Sequence, residues 1–171
     1  HLQNIQNRLA NGVVSAVPES QRDAVAKAAI SYRPDFNFGL PNQCVHGDVS
    51  PGNVLFLENG SAVLCDFEDA AFCYRSPVFD LGMAILRFGL EGVNGTDDST
   101  SVDRAEELLT AYSRWSTVMP DRPILIAGIR NCAYHAYMVL SSLAINGTEM
   151  DAGEWGKPAA WLELIDTWDI D

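Results

Sequence analysis

The chain has 171 residues, 47% of them hydrophobic and 20% charged, and a formal net charge of −12. That length suits one domain or a large lobe of a bigger protein, and the apolar share is enough to build a core. So acidic a chain argues against direct nucleic-acid recognition, which needs a basic face; an acidic surface can instead draw cationic substrates or simply keep the protein soluble.

The first residue is His1 rather than Met, which reads as a processing boundary, and "HLQNIQNRLANG" has no apolar stretch of the signal-peptide kind. Residues 2–17 read as a helix of mixed polarity, interrupted near Asn11-Gly12. Residues 19–32 predict a second helix, with Pro18 near its first turn and Pro34 ending it. "DFNFGLPN" reads as loop, and "QCVHGD" as a short strand. The apolar runs "NVLFL" and "SAVLCDF" predict a hairpin closed by an Asn-Gly turn. "EDAAFCYRS" reads as loop. Ser76 then caps a helix with Pro77 at its first position, running through Leu90.

"EGVNGTDDSTS" reads as a further loop. Residues 102–118 predict an amphipathic helix with Leu108, Leu109, Tyr112 and Trp115 on or near one face. Residues 121–145 form the most apolar segment. Arg130, Asn131 and His135 interrupt it, so it reads as a buried helix and not a membrane span. The last helix is expected over 157–168, with Trp161, Leu164, Ile165 and Trp168 on one side. The fold class is α+β, predominantly helical, with a small central β-hairpin.

Four cysteines, Cys44, Cys65, Cys73 and Cys132, match no zinc spacing. Cys44, Cys65 and Cys132 sit in apolar runs, where a free thiol behaves as a small hydrophobe, and this favours a reducing cytoplasm. Asn59, Asn94 and Asn146 each begin an Asn-Gly-Ser/Thr sequence and read as turns.

The chemistry concentrates in "CVHGDVSPGNVLF", residues 44–56. Asp48 lies in the loop that feeds the first hairpin strand, Asn53 begins that strand, and Asp66 ends the second. Folding the hairpin brings Asn53 and Asp66 together, with Asp48 nearby. Two carboxylates and a carboxamide then meet at one mouth. Phosphoryl transfer from a Mg-nucleotide needs such a set. Mg²⁺ takes one or two carboxylates plus phosphate oxygens, and a further carboxylate orients the attacking hydroxyl. Each residue also has a plainer reading: Asp48 as a turn residue, Asn53 as a strand-entry cap, Asp80 as an exposed helix position. Asp66 ends an apolar strand, where an unpaired carboxylate is costly, so it reads as a ligand.

"HGDVSPGN" followed by "LCDFEDA" and "SPVFDLGMAI" resembles the catalytic loop, metal-binding segment and following helix of the aminoglycoside phosphotransferases and their relatives, the choline, homoserine and methylthioribose kinases. These share the protein-kinase-like fold. The resemblance implies that Asp48 is the catalytic Asp at the acceptor hydroxyl and that Asn53 and Asp66 bind Mg²⁺. It implies that His46 braces the loop and that Asp80 accepts its backbone N–H groups. It also implies ATP or GTP as co-substrate. Gly47 stands where protein kinases carry Arg, "FED" follows Asp66 in place of "FG", and no APE-like segment follows; these departures point to a small-molecule acceptor.

Glu68 and Asp69 either face a cationic acceptor or are solvated. Tyr134, Tyr137, Trp155, Trp161 and Trp168 line a substrate wall or, as the preferred reading, pack in the core. His135 reads as a satisfied core histidine. No GxGxxG or GxxxxGK[ST] motif occurs, and Lys27 falls on a helix. Residues 1–171 are therefore expected to be the catalytic and substrate-binding C-terminal lobe, without the nucleotide-binding N-terminal lobe, and weakly active or inactive alone. The expected partners are a small molecule and a nucleotide, with no nucleic acid and no membrane. The competing readings are a non-catalytic ligand- or partner-binding module and a metal-dependent hydrolase; the latter would call for more His and Asp ligands.

Overall fold

The computed structural model describes residues 2–10, 15–36, 39–90, 98–117 and 119–168. In chain order, helix α1 (Leu2–Ala10) is followed by a 3₁₀ turn (Glu19–Gln21) that leads into α2 (Arg22–Ser31). Strand β1 (Gln43–Cys44), a 3₁₀ turn (Pro51–Asn53), β2 (Val54–Phe56) and β3 (Ala62–Leu64) come next. A 3₁₀ turn (Glu68–Phe72), β4 (Tyr74–Arg75), α3 (Val78–Ala84) and a π-helical turn (Ile85–Leu90) follow. The chain closes with α4 (Asp98–Trp115), α5 (Arg122–Ile145) and α6 (Ala152–Trp168). The fold is α+β and predominantly helical. No helix among the described residues is long and apolar enough to cross a membrane.

The chain divides into two compact units. The first comprises residues 1–36 and 130–167. Ile5 and Leu9 of α1, Val25, Ala28 and Ala29 of α2, and Tyr137 and Met138 of α5 form its core with Tyr32 and Trp155. Polar ties lock the chain leaving α2 onto α5. The Asn131 side chain accepts the Arg33 N–H at 2.8 Å and donates to the Arg33 carbonyl at 3.0 Å. His135 Nδ1 meets the Tyr32 hydroxyl at 3.1 Å, so this histidine is satisfied within the unit. Trp155 and Trp161 are buried, as core aromatics.

The second unit comprises residues 37–129 and 168–171. Strands β2 and β3 pair antiparallel, Val54 opposite Leu64 and Phe56 opposite Ala62. The Asn59-Gly60 turn closes them, with Gly60 at φ 80° and the Asn59 side chain accepting the Ser61 N–H at 3.0 Å. β1 pairs antiparallel with β4, Gln43 opposite Arg75 and Cys44 opposite Tyr74. Helix α3 buries Val78, Phe79, Leu81 and Met83, and Ser76 Oγ accepts the Val78 N–H at its head.

Several expectations are corrected. The hairpin strands are shorter than their apolar runs, and those runs are not buried: Leu55 is 54% and Phe56 73% exposed. The expected strand over "QCVHGD" stops at Cys44, and "CYRS", read as loop, supplies its partner β4. Cys44 is exposed rather than packed. Trp115 lies 90% exposed, off the buried stripe of α4. α4 starts at Asp98, inside the stretch read as loop.

α6 begins at Ala152, not 157, with Pro158 inside it. Asp151 caps it, accepting the Gly153 N–H at 2.6 Å. The Asp151 to Glu154 spacing was the overlooked start signal. The helix expected through Leu90 turns π-helical at Ile85. There Gly89 lies so close to Ala105 of α4 that an added Cβ would stand 3.1 Å from its Cα. Arg104 Nε and Nη2 donate to the Gly89 carbonyl at 3.2 and 3.0 Å. Such a wide turn frees carbonyls that need another donor. The expected break at Asn11-Gly12 and the Asn94 turn lie outside the described residues.

One polar clasp sits within the second unit. Glu106 Oε1 accepts from Arg122 Nη2 at 2.7 Å and from Trp168 Nε1 at 2.6 Å. The Arg122 hydrogen bond, reinforced by that of Trp168 and partly opposed by burial, holds the Glu106 carboxyl below the usual carboxylate range. A depressed folded pKa contributes stability above the unfolded value, and that contribution is lost as pH falls through the folded value. Both side chains of the ion pair are nearly half exposed, so the contribution is at most about 1 kcal/mol. Glu106→Gln is expected to lower stability by that amount at neutral pH, with the gap to wild type closing as pH drops through the carboxylate range. Urea unfolding followed by tryptophan fluorescence at several pH values measures it.

Candidate active site

The loop between β1 and the 3₁₀ turn at Pro51 is held from α3. Asp80 uses one carboxylate oxygen for each of two successive N–H groups. His46 N–H donates to Oδ2 at 2.7 Å and Gly47 N–H to Oδ1 at 3.0 Å. Hydrogen bonds to a charged acceptor contribute about 1.5–3 kcal/mol each. Directly after the second of these amides the chain turns at Gly47, which adopts φ 93°. That conformation suits glycine, and space demands it too. A Cβ on Gly47 would stand 2.9 Å from Cys73 Sγ and 3.3 Å from Asp69 Cβ. No larger side chain fits where the protein-kinase loop carries Arg.

His46 is 3% exposed and joins this loop to the end of β3. Its Nδ1 accepts the Asp48 N–H at 3.2 Å, and its Nε2 lies 2.7 Å from the Cys65 carbonyl. The first bond requires a lone pair on Nδ1 and the second a proton on Nε2, which fixes the tautomer. Phe67 packs against the ring with centroids 4.7 Å apart.

Asn53 connects the remaining parts. Its Nδ2 donates to the Asp48 carbonyl at 2.9 Å and to Asp48 Oδ2 at 3.0 Å. Both amide hydrogens are thereby used, and Oδ1 is left as its ligating atom. The Asn53 backbone carbonyl accepts the Cys65 N–H at 2.9 Å. That bond continues the β2–β3 pairing one step past Val54, so Cys65 stands across from Asn53 and Asp66 is the next residue. Asp66 is the one non-glycine residue with positive φ among the described residues, at 64°. Asp tolerates this left-handed conformation better than most residues, at a modest cost.

The structure thus gathers Asp48, Asn53, Asp66, His46 and Asp80 around one loop. Contrary to the expected cost of an unpaired carboxylate, Asp66 is exposed, so its backbone conformation and not a desolvation penalty marks it. Of the two acidic residues after it, Asp69 packs beside Gly47, while Glu68 is exposed at the head of its 3₁₀ turn. Cys73, the wall behind Gly47, carried no signal in the sequence. Burial pushes its thiol up, the Arg75 charge opposes that, and Asp80 and Asp69 add to it. Among the described residues, no three His, Cys, Asp or Glu side chains stand together as a metal cluster. The donor set on offer is two carboxylates and one amide oxygen.

Comparison with protein families matches residues 1–126 to the phosphotransferase enzyme family, about three-quarters of the chain and all of this loop. The chain belongs to that family. No curated protein and no solved structure matches it. As a member of the family it has a phosphotransferase fold, and the matched region ends within α5.

Two outcomes follow from the geometry of the phosphotransferase loop. Gly47→Ala should cost about 1–3 kcal/mol for the backbone conformation alone, plus the clash with Cys73. Adding Cys73→Ala should recover the steric part only, which denaturant titration of the single and double variants separates. Asp66→Gly should raise stability by up to about 1 kcal/mol, because glycine adopts positive φ freely; a loss of stability in the same titration would contradict the strain.

Proposed function

We propose that this chain carries the catalytic and acceptor-binding part of an ATP- or GTP-dependent phosphotransferase. The acceptor is a hydroxyl of a small molecule such as an aminoglycoside, an amino alcohol or a related metabolite. The observation that carries the reading is the double hydrogen bond from Asn53 to Asp48. It fixes the Asp48 carboxylate by one oxygen and leaves the other for an acceptor O–H. It also uses both amide hydrogens of Asn53, so Oδ1 is the atom left to ligate.

In this reading the acceptor hydroxyl binds against Asp48, which orients it and takes its proton as the oxygen attacks the γ-phosphorus. The bond from that phosphorus to the bridging oxygen breaks, giving a phosphoester and the nucleoside diphosphate. Asn53 Oδ1 and the Asp66 carboxylate would hold Mg²⁺, which supplies charge neutralisation at the phosphates when bound. The donor set fits: a hard cation takes one or two carboxylates and completes its shell with water and phosphate oxygens. Asp80 and His46 keep the loop rigid, so that Asp48 needs no rearrangement before reaction. Asp69 beside Gly47 would attract a cationic group on the acceptor, and Glu68 would add to the field.

Residues that grip the nucleotide from above are not identifiable in this sequence. The exposed Leu55, Phe56 and Val63 on the hairpin suit a surface covered by further protein. We therefore propose that this segment is the C-terminal lobe and works with a nucleotide-binding lobe outside these residues. Turnover by the 171 residues alone at a typical kinase rate, about 1–100 per second, would refute that need.

The deciding experiment screens Mg-ATP and Mg-GTP with amino sugars, amino alcohols and related hydroxy compounds on the longest available form of the protein, following nucleoside diphosphate release. Asp48→Asn should lower turnover by about 10²–10⁴-fold with the fold intact. Asp66→Asn keeps a residue that tolerates positive φ and should abolish Mn²⁺ binding. Full turnover in Asp48→Asn would exclude Asp48 as the residue at the acceptor.

A further inference from the structure

One cavity of the first unit takes no part in the reaction above. It measures about 450 Å³ and lies where the chain entering the 3₁₀ turn at Glu19, the end of α5 and the start of α6 come together. Small-molecule sites commonly enclose about 300–1,000 Å³. Pro18, Ala144, Met150 and Trp155 form its apolar wall, and Thr148 and Glu149 its polar one. All belong to the first unit, whereas Asp48 and its loop belong to the second. Trp155 is 2% exposed, and Met150 packs against the core that includes it, so the apolar wall is held by the core.

The charged features of this cavity have one sign. Glu149 is exposed, and among the described residues no cation pairs with it. Among those residues no Lys or Arg lines the cavity. The nearest two along the chain are engaged elsewhere. Arg22 Nε donates to the Val17 carbonyl at 3.4 Å, and Lys157 Nζ pairs with Glu154 at 2.8 Å. The end of α5 adds to the field. Its last turn closes through the N–H groups of Asn146, Gly147 and Thr148, with Gly147 at φ 87°. The carbonyls at a helix C-terminus carry roughly half an elementary negative charge. An indole also attracts cations over its face, so the apolar wall favours the same sign.

We propose that this cavity binds a small organic cation with an apolar body, an amine or quaternary ammonium compound. Its charge lies toward Glu149 and the end of α5, and its body rests on Pro18, Met150 and Trp155. An anion would meet a carboxylate and the negative end of a helix. A metal ion would leave the apolar wall unused. The net charge of −12 raises the concentration of cations around the protein. The site stands independently of the phosphotransfer reading, because none of its residues belongs to the Asp48 loop.

The test titrates the ¹⁵N-labelled chain, with its signals assigned, against benzylammonium and against benzyl alcohol and benzoate as neutral and anionic counterparts. Benzylammonium is expected to shift the Gly147 and Thr148 amide signals and the Trp155 indole signal saturably, and the two counterparts are not. Glu149→Gln, a change at an exposed position, should weaken binding roughly fivefold, the scale of one solvent-exposed charge pair. Glu149→Asp should retain part of the affinity, and Glu107→Gln on α4 should leave it unchanged. Absence of a saturable shift at these three signals overturns the proposal. So do equal shifts with benzyl alcohol, or an affinity that Glu149→Gln leaves as it was. Saturable shifts at Asp48 and Asp69 in place of Gly147 and Thr148 would also overturn it, while supporting a cationic acceptor at the phosphotransfer loop.

Discussion

The arrangement depends on one carboxylate. Asp80 takes the N–H groups of His46 and Gly47, one per oxygen, and everything proposed for Asp48 follows from the loop being held there. Asp80 can serve because α3 is buried on Val78, Phe79 and Leu81, immediately around it. A helix anchored by its apolar side thus carries a fixed acceptor at its first turn. Gly47 meets the same constraint from the other end. Its positive φ turns the chain directly after the two amides, and its missing side chain lets Cys73 and Asp69 close against the loop. The bond from Val45 N–H to the Cys73 carbonyl, at 3.0 Å, ties the strand entering the loop to that wall.

From this anchor the order passes outward through polar contacts. His46 carries it to Cys65, and Asn53 carries it to Asp48 and, through its carbonyl, again to Cys65. Asp66 is the next residue, and its left-handed backbone is the strain left at the end of the chain of contacts. Strain of this kind persists where the surroundings over-determine a residue. Here two hydrogen bonds to Cys65, one at its N–H and one at its carbonyl, supply that determination. The hairpin that joins Asn53 to Asp66 buries little and contributes few apolar contacts of its own. The loop is therefore held by α3 and by hydrogen bonds rather than by the hairpin.

Much of this was legible from residue order. The Asn-Gly turn and its flanking apolar runs gave the hairpin, and the hairpin gave the meeting of Asn53 with Asp66. The Pro77 start gave α3 and so the position of Asp80. What failed did so for identifiable reasons. Apolar runs over Leu55, Phe56 and Val63 suggested burial, but hydrophobic composition does not say whether a covering surface is present. Periodicity put Trp115 with Leu108 and Leu109, although a residue at the end of α4 can lie past the partner that covers the rest. The expected start at 157 missed the Asp151 cap, six residues earlier, which already begins α6.

The sequence by itself determined which chemical groups are available and how far apart they lie along the chain: a neutral amide between two carboxylates, a glycine before Asp48, and a predominantly helical frame around one hairpin. Those are local properties, set by residue type and spacing. Only the tertiary structure decided that Gly47 has no room for a side chain, that His46 ties the loop to Cys65, and that Pro18 and Trp155 wall one cavity. Each of these depends on residues far apart in sequence meeting at distances of a few ångströms, and no local pattern records such a meeting.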